Sequence, residues 1–239
     1  MKLNVEIRDM KKLRILLGMV ALAAVTFTSC NDETGLFVEQ LYTNNQMETA
    51  IKSCLRASAD SAVSHLCTTD GYYNYNDAAY RIDYATLQNS LFDTLRNHNY
   101  GDLGDSLVVY TNRLAESCGG QVLPILKSAI DSLTITDHQK LVDGEMTITH
   151  YFELFKYNVV KSAMQSPVSI RMSLFGVNET WSEMLQKYYQ YTNVPLNFDL
   201  QNYIVEKMLD GILKEMAVEE TLIRTDSTHR TESMELLAE

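Results

Sequence analysis

The chain has 239 residues, 46% of them hydrophobic, which is enough to bury one sizeable core. Three prolines and ten glycines are too few to punctuate an all-β sandwich of this length, so helix is the expected dominant state. With 31 acidic against 20 basic residues the net charge is −11, a surface that repels phosphate backbones and argues against nucleic acid as a partner.

Residues 1–29 differ from the rest. Lys11, Lys12 and Arg14 precede the apolar run from Ile15 to Phe27, which is short for a membrane span but has the length of a signal-peptide core. Both Met1 and Met10 are candidate translation starts, since Met10-Lys11-Lys12-Leu13-Arg14 has the form of a conventional n-region. Thr28-Ser29-Cys30 follows and looks like a bacterial lipobox, with Phe27 standing where an aliphatic residue is usual. Cys30 is therefore the expected lipid anchor of a lipoprotein, carrying acyl chains such as palmitate that each add about 0.8 kcal/mol of membrane affinity per buried methylene.

No later stretch reaches 18 uncharged apolar residues, so the membrane is expected as a partner only through this N-terminal lipid. Cleavage before Cys30 leaves 15 basic against 29 acidic residues. Asn31-Asp32-Glu33 resembles the acidic export signal of Bacteroidetes surface lipoproteins, and reads equally well as a solvated linker. The expected location is the outer membrane, facing either the periplasm or the cell surface.

Residues 30–45 read as a tether, and 46–239 as one all-α domain, an irregular bundle of about eight to ten helices. Met47, Ala50, Ile51, Cys54, Leu55, Ala62, Val63 and Leu66 recur at helical spacing up to the turn Asp70-Gly71. Tyr72, Tyr73, Tyr75, Tyr80 and Tyr84 then form an aromatic-rich loop, either a stacking platform for a ligand such as a glycan or rings that close the end of the bundle. A helix is expected over 85–97. Two further apolar stripes run from Leu103 to Cys118 and from Val122 to Leu133, the second opening near Gln121 so that Pro124 falls in its first turn.

The hinge of the sequence is Leu133 to Phe152. Thr136 and Gln139 have capping-box spacing, which predicts a helix beginning at Asp137, and Gly144 offers the left-handed residue that closes it. The next helix is expected to run to about Ala163, with Pro167 opening a separate short segment that ends near Phe175-Gly176. Asn178 to Tyr191 reads as a helix. Asp199 reads as the cap of the longest one, in which Gly211 marks a close crossing. A break at Asp226-Ser227 precedes a last short helix through Leu237.

Cys54 and Cys67, if on one helix, lie roughly 20 Å apart and cannot pair. Cys118 could pair with either, while three reduced, buried thiols is the favoured state.

Asp70-Gly71-Tyr72, Asn112-Arg113 with Ala115-Glu116, Thr134-Ile135-Thr136-Asp137, Gly144, Tyr151-Phe152, Asp199-Leu200 with Tyr203, Gly211, Glu219-Glu220, Ile223-Arg224 and Arg230-Thr231 occur in an order that resembles domain of unknown function 4197. The resemblance spans roughly 47–238 and departs at Asp83-Tyr84 and Thr225-Asp226, where the family has Leu-Pro and Asn-Pro. It implies a helical, exported bacterial protein and supplies no activity.

Nucleophile elbows, phosphate-cradling glycine loops, His-Glu-x-x-His and paired-cysteine zinc patterns are absent from the sequence, and no metal or other cofactor is expected. The polar set singled out is Asp137, Glu219, Glu220, Arg224 and Arg230, either a salt-bridged support or the lining of a pocket. Three functions follow as expectations. The first is a lipid-anchored interaction or structural module with a protein partner; the second is a glycan or other ligand-binding protein using the tyrosine loop. The third is an enzyme whose acid–base groups come from Asp137, His150, Glu219 and Glu220.

Overall fold

The computed structural model describes residues 42–238, so the expected signal peptide, Cys30 and most of the tether lie outside the described residues. Nine α-helices and no strand occur among the described residues, which makes the fold all-α.

Helix α1 (Asn44–Leu66) begins two residues before the predicted start because Thr43 and Gln46 form a complete capping box. Its buried face sets a stripe of small residues, Ala50, Cys54, Ser58, Ala59 and Ala62, beside larger ones such as Ile51, Leu55 and Leu66. That lets α9 (Leu200–Thr225) approach closely, in what is the most extensive helix pairing of the fold. Contacts from Ser61 to Glu219 and from His65 to Glu215 set the two helices antiparallel. Helix α7 (Ile148–Leu174) lies along the other side of α9, and α5 (Gly119–Asp131) packs against both α1 and α7.

The remaining elements close the ends of this frame. Gly71 starts a short helix, α2 (Gly71–Ala78), where a loop was expected, and its Cα approaches Leu66 so closely that an added Cβ would lie 2.2 Å from the Leu66 carbonyl oxygen. Residues 85–97 run through a 3₁₀ turn (Ala85–Leu87), a π turn (Gln88–Phe92) and α3 (Asp93–Asn97). Helices α4 (Gly101–Glu116) and α8 (Val177–Thr192) pair with each other, and two 3₁₀ segments (Ser227–His229 and Glu232–Leu237) return the chain to α1.

Three local expectations are corrected. Helix α5 starts at Gly119 and contains Pro124 beyond its first turn. Helix α7 runs unbroken through Pro167, which therefore opens no new segment. The carbonyl that loses its partner there is that of Ala163, which is exposed, while Val160, Met164, Val168 and Met172 keep a buried stripe continuous across the proline. At the hinge, Thr136 and Gln139 do not form a box. The Thr136 hydroxyl turns to Asp137, the Gln139 amide reaches forward to Asp143, and α6 (His138–Val142) starts without a side-chain cap.

Other local readings hold. Gly144 is left-handed at φ 74°, Asp199 caps α9 through the Asn202 N–H, and the chain leaves α9 at Asp226. Gly211 faces the Tyr72 ring of α2, with an added Cβ 3.1 Å from it.

Candidate functional site

Four of the five ionisable residues in the C-terminal half of α9 lie on two faces turned toward the rest of the chain, the fifth being the exposed Lys214. Glu215 and Glu219, four apart, face α1. Glu220 and Arg224, four apart, face the hinge.

Glu220 and Arg224 are buried together. The Glu220 carboxylate accepts the backbone N–H groups of Ile148 and Thr149, both at 2.7 Å, and so caps the first turn of α7 from a distant part of the chain. The Arg224 guanidinium donates to the Leu141 carbonyl at 2.7 Å and the Val142 carbonyl at 3.0 Å, closing the end of α6, and meets Glu220 at 3.3 Å. One buried ion pair thus satisfies the end of α6 and the start of α7 together. Arg230 completes the arrangement by donating to the Ile223 and Arg224 carbonyls at 2.9 and 2.7 Å at the end of α9.

Asp137 does not join them. It is exposed beside Thr136, and both arginines have other partners. Glu219 lies on the opposite face, accepting the Ser61 hydroxyl at 2.9 Å and bonded to His229 Nδ1 at 2.8 Å, which raises the His229 pKa above its ordinary value. This is not a nucleophile triad, since the carboxylate stands between the serine and the imidazole instead of behind the imidazole. His150 pairs with Glu153 at the surface and lines a 300 Å³ depression with Asp210 and Lys214, a depression that Asp137, Glu219 and Glu220 do not reach. The four groups considered as an acid–base set therefore share no cleft.

The tyrosines also divide. Tyr72, Tyr80 and Tyr84 are buried, Tyr72 donating to the Met208 carbonyl and Tyr84 bonded to Thr111. The Tyr73 ring is covered by the Arg81 and Arg113 guanidinium groups at 4.4 and 5.3 Å. Only Tyr75 is exposed, its ring beside those of His65 and Tyr80, at the edge of a 220 Å³ depression that also touches Asp70 and Asn74.

Glu215 was not singled out in the sequence, yet three side chains converge on it. It is buried, accepts from the Tyr75 and Tyr80 hydroxyls, and meets His65 Nδ1 at 2.7 Å. Burial and the Glu215 carboxylate push the Tyr80 pKa well above its usual range. The signal in the sequence was a glutamate between Leu213 and Met216 on the apolar face of a long helix, a charge that such a face tolerates only with partners.

The thiols of Cys54, Cys67 and Cys118 are free, and burial pushes their pKa values up to about 12, 12 and 11. No group of three metal-ligating side chains occurs among the described residues.

A family model described as a protein of unknown function, DUF4197, matches residues 41–237. No curated protein and no solved structure matches the chain.

Proposed function

The chain belongs to the DUF4197 family, and from that premise we propose that it is a lipid-anchored cell-envelope protein whose helical domain serves as an interaction or structural module. The observation that carries the module reading is the fate of its buried charges. Glu215, Glu220 and Arg224 are turned inward onto backbone groups and neighbouring side chains, and through His65, Tyr75, Ile148 and Leu141 hold α1, α2, α7 and α6 to α9. A substrate would have to displace those contacts to reach them, which is the opposite of a preorganised open site.

The anchor rests on Thr28-Ser29-Cys30 behind a basic n-region and an apolar run, and no described helix is long and apolar enough to cross a membrane. Asn31-Asp32-Glu33 supports the outer face of a Bacteroidetes-type outer membrane as the site of display. Metabolic labelling with a palmitate analogue tests the anchor: the wild-type chain is labelled, Cys30→Ala is not, and globomycin holds the precursor at full size. Labelling that survives Cys30→Ala sinks this assignment. Protease added to intact cells distinguishes the leaflets, digesting the domain only if it faces outward.

A glycan-binding role retains one ring. Of the five tyrosines, Tyr75 alone is exposed, and it sits beside the shallow depression that Asp70 and Asn74 also line. Oligosaccharide binding that disappears in Tyr75→Ala would favour that role over the module.

A further inference from the structure

The outward face of α7 carries Phe155, Val159, Ala163, Ser166, Ile170 and Leu174, all exposed. The four large side chains show 59, 55, 62 and 72% of their surface, a row of apolar groups along a helix whose opposite face is already packed. No charged residue interrupts the row, although the chain carries 31 acidic residues.

The order of the row has a two-fold property. Pairing its residues from the two ends inward gives Phe155 with Leu174, Val159 with Ile170, and Ala163 with Ser166, each pair centred on the same point between Met164 and Gln165. Large side chains lie at both ends and small ones in the middle. A surface with that property is complementary to a copy of itself running the other way, as a two-fold interface requires. The small centre lets two helix axes approach, and the large ends fill the space where crossing helices diverge.

The geometry points to an antiparallel α7–α7 homodimer, with Phe155 of one copy against Leu174 of the second and Val159 against Ile170. A 290 Å³ depression between α5 and α7, lined by Pro124, Ile125, Ser128, Val159 and Ala163, lies on the side where Ile170 of the second copy arrives. Flanking charges do not oppose the pairing. Lys156, Lys161 and Arg171 are held by Ser132, Glu206 and Gln121 of their own chain, and the position matched with Arg171 is Asn158. Covering the row and its flanking serines buries on the order of 600 Å² per copy, about 1,200 Å² in all, at the lower bound of a stable specific interface.

The dimer gives the module reading a partner and does not depend on the anchor. Loss of palmitate labelling would remove Cys30 from the account and leave the dimer as it stands. The test is cysteine cross-linking of the full chain in intact cells. Val159→Cys with Ile170→Cys should give a disulfide-linked dimer, because the two positions lie about 16 Å apart within one helix and cannot bridge in the same chain. Either variant alone should give little. Single variants that cross-link as well as the pair indicate parallel pairing, and absence of the linked dimer in the double variant overturns the dimer.

Sedimentation of the Cys30→Ser chain provides the second measurement. The mass should be twice the monomer's and fall to one copy in Val159→Asp, with the helical circular dichroism unchanged since the site is exposed. A monomer at every concentration tested, or a dimer indifferent to Val159→Asp, overturns the proposal. So does binding of the monomer to phosphatidylethanolamine–phosphatidylglycerol vesicles that Ile170→Asp abolishes.

Discussion

Glu220 holds two backbone N–H groups and an arginine where water does not reach, so replacing it removes more than a pairwise attraction. Glu220→Ala leaves the Arg224 charge buried and the first turn of α7 uncapped, and is expected to cost about 3–5 kcal/mol in urea denaturation. Arg224→Met in the same background should cost less than it does alone, because the stranded charge is then gone; additive losses would show that the two residues act separately. His229 makes a milder prediction. Its hydrogen bond to Glu219 raises its folded pKa, so its contribution is complete below the unfolded value and fades as pH rises through the folded one. Stability should therefore decline across that window in the wild type, and His229→Gln should flatten the decline. The thiols give a third: with pKa values of about 11 to 12, Cys54, Cys67 and Cys118 should resist a thiol reagent at neutral pH and react fully in denaturant.

At the scale of the element, local rules and tertiary packing compete, and α7 shows which prevails. Proline within a helix costs about 3 kcal/mol, and that rule predicted a break at Pro167. The buried row Val160, Met164, Val168 and Met172 runs through the proline at intervals of four, and burying four such side chains outweighs one hydrogen bond lost at the exposed residue Ala163. That row was visible in the sequence and could have overridden the proline. Pro167→Ala should accordingly stabilise the chain by about 1–2 kcal/mol, read as a rise in the urea midpoint with an unchanged slope. The caps were legible unevenly. Asp199 and Gly144 act as their positions suggested, because each needs only its own neighbours. The box at Thr136 failed because a carboxylate next door and another four residues beyond Gln139 claimed its side chains, while the same spacing at Thr43 and Gln46 forms a box unopposed. The candidate polar set was half legible: spacing paired Glu220 with Arg224, but which carbonyls and N–H groups they would reach depends on how α9 crosses the hinge, information no local pattern contains.

Over the whole molecule, the first and last described elements close on each other. The segment after Thr225 returns to α1, where Met234 and Leu237 are buried and Arg230 holds the final carbonyls of α9. Burying two such side chains is worth roughly 1.5–3 kcal/mol each, and removing them uncovers the flank of α1 as well. A chain ending at Thr225 should therefore lose about 3–6 kcal/mol of stability, comparable with the whole margin of many domains, and accumulate poorly in cells. Met234→Ala with Leu237→Ala separates packing from length, since it keeps Arg230 and every backbone contact. If the double substitution reproduces most of the loss, the segment acts as a hydrophobic clasp over α1. If it costs little while truncation is severe, the Arg230 cap on α9 is the stabilising contact. A truncated chain as stable as the intact one would mean that α1, α7 and α9 suffice alone, and that the return of the chain to α1 is a consequence of the fold and not one of its supports.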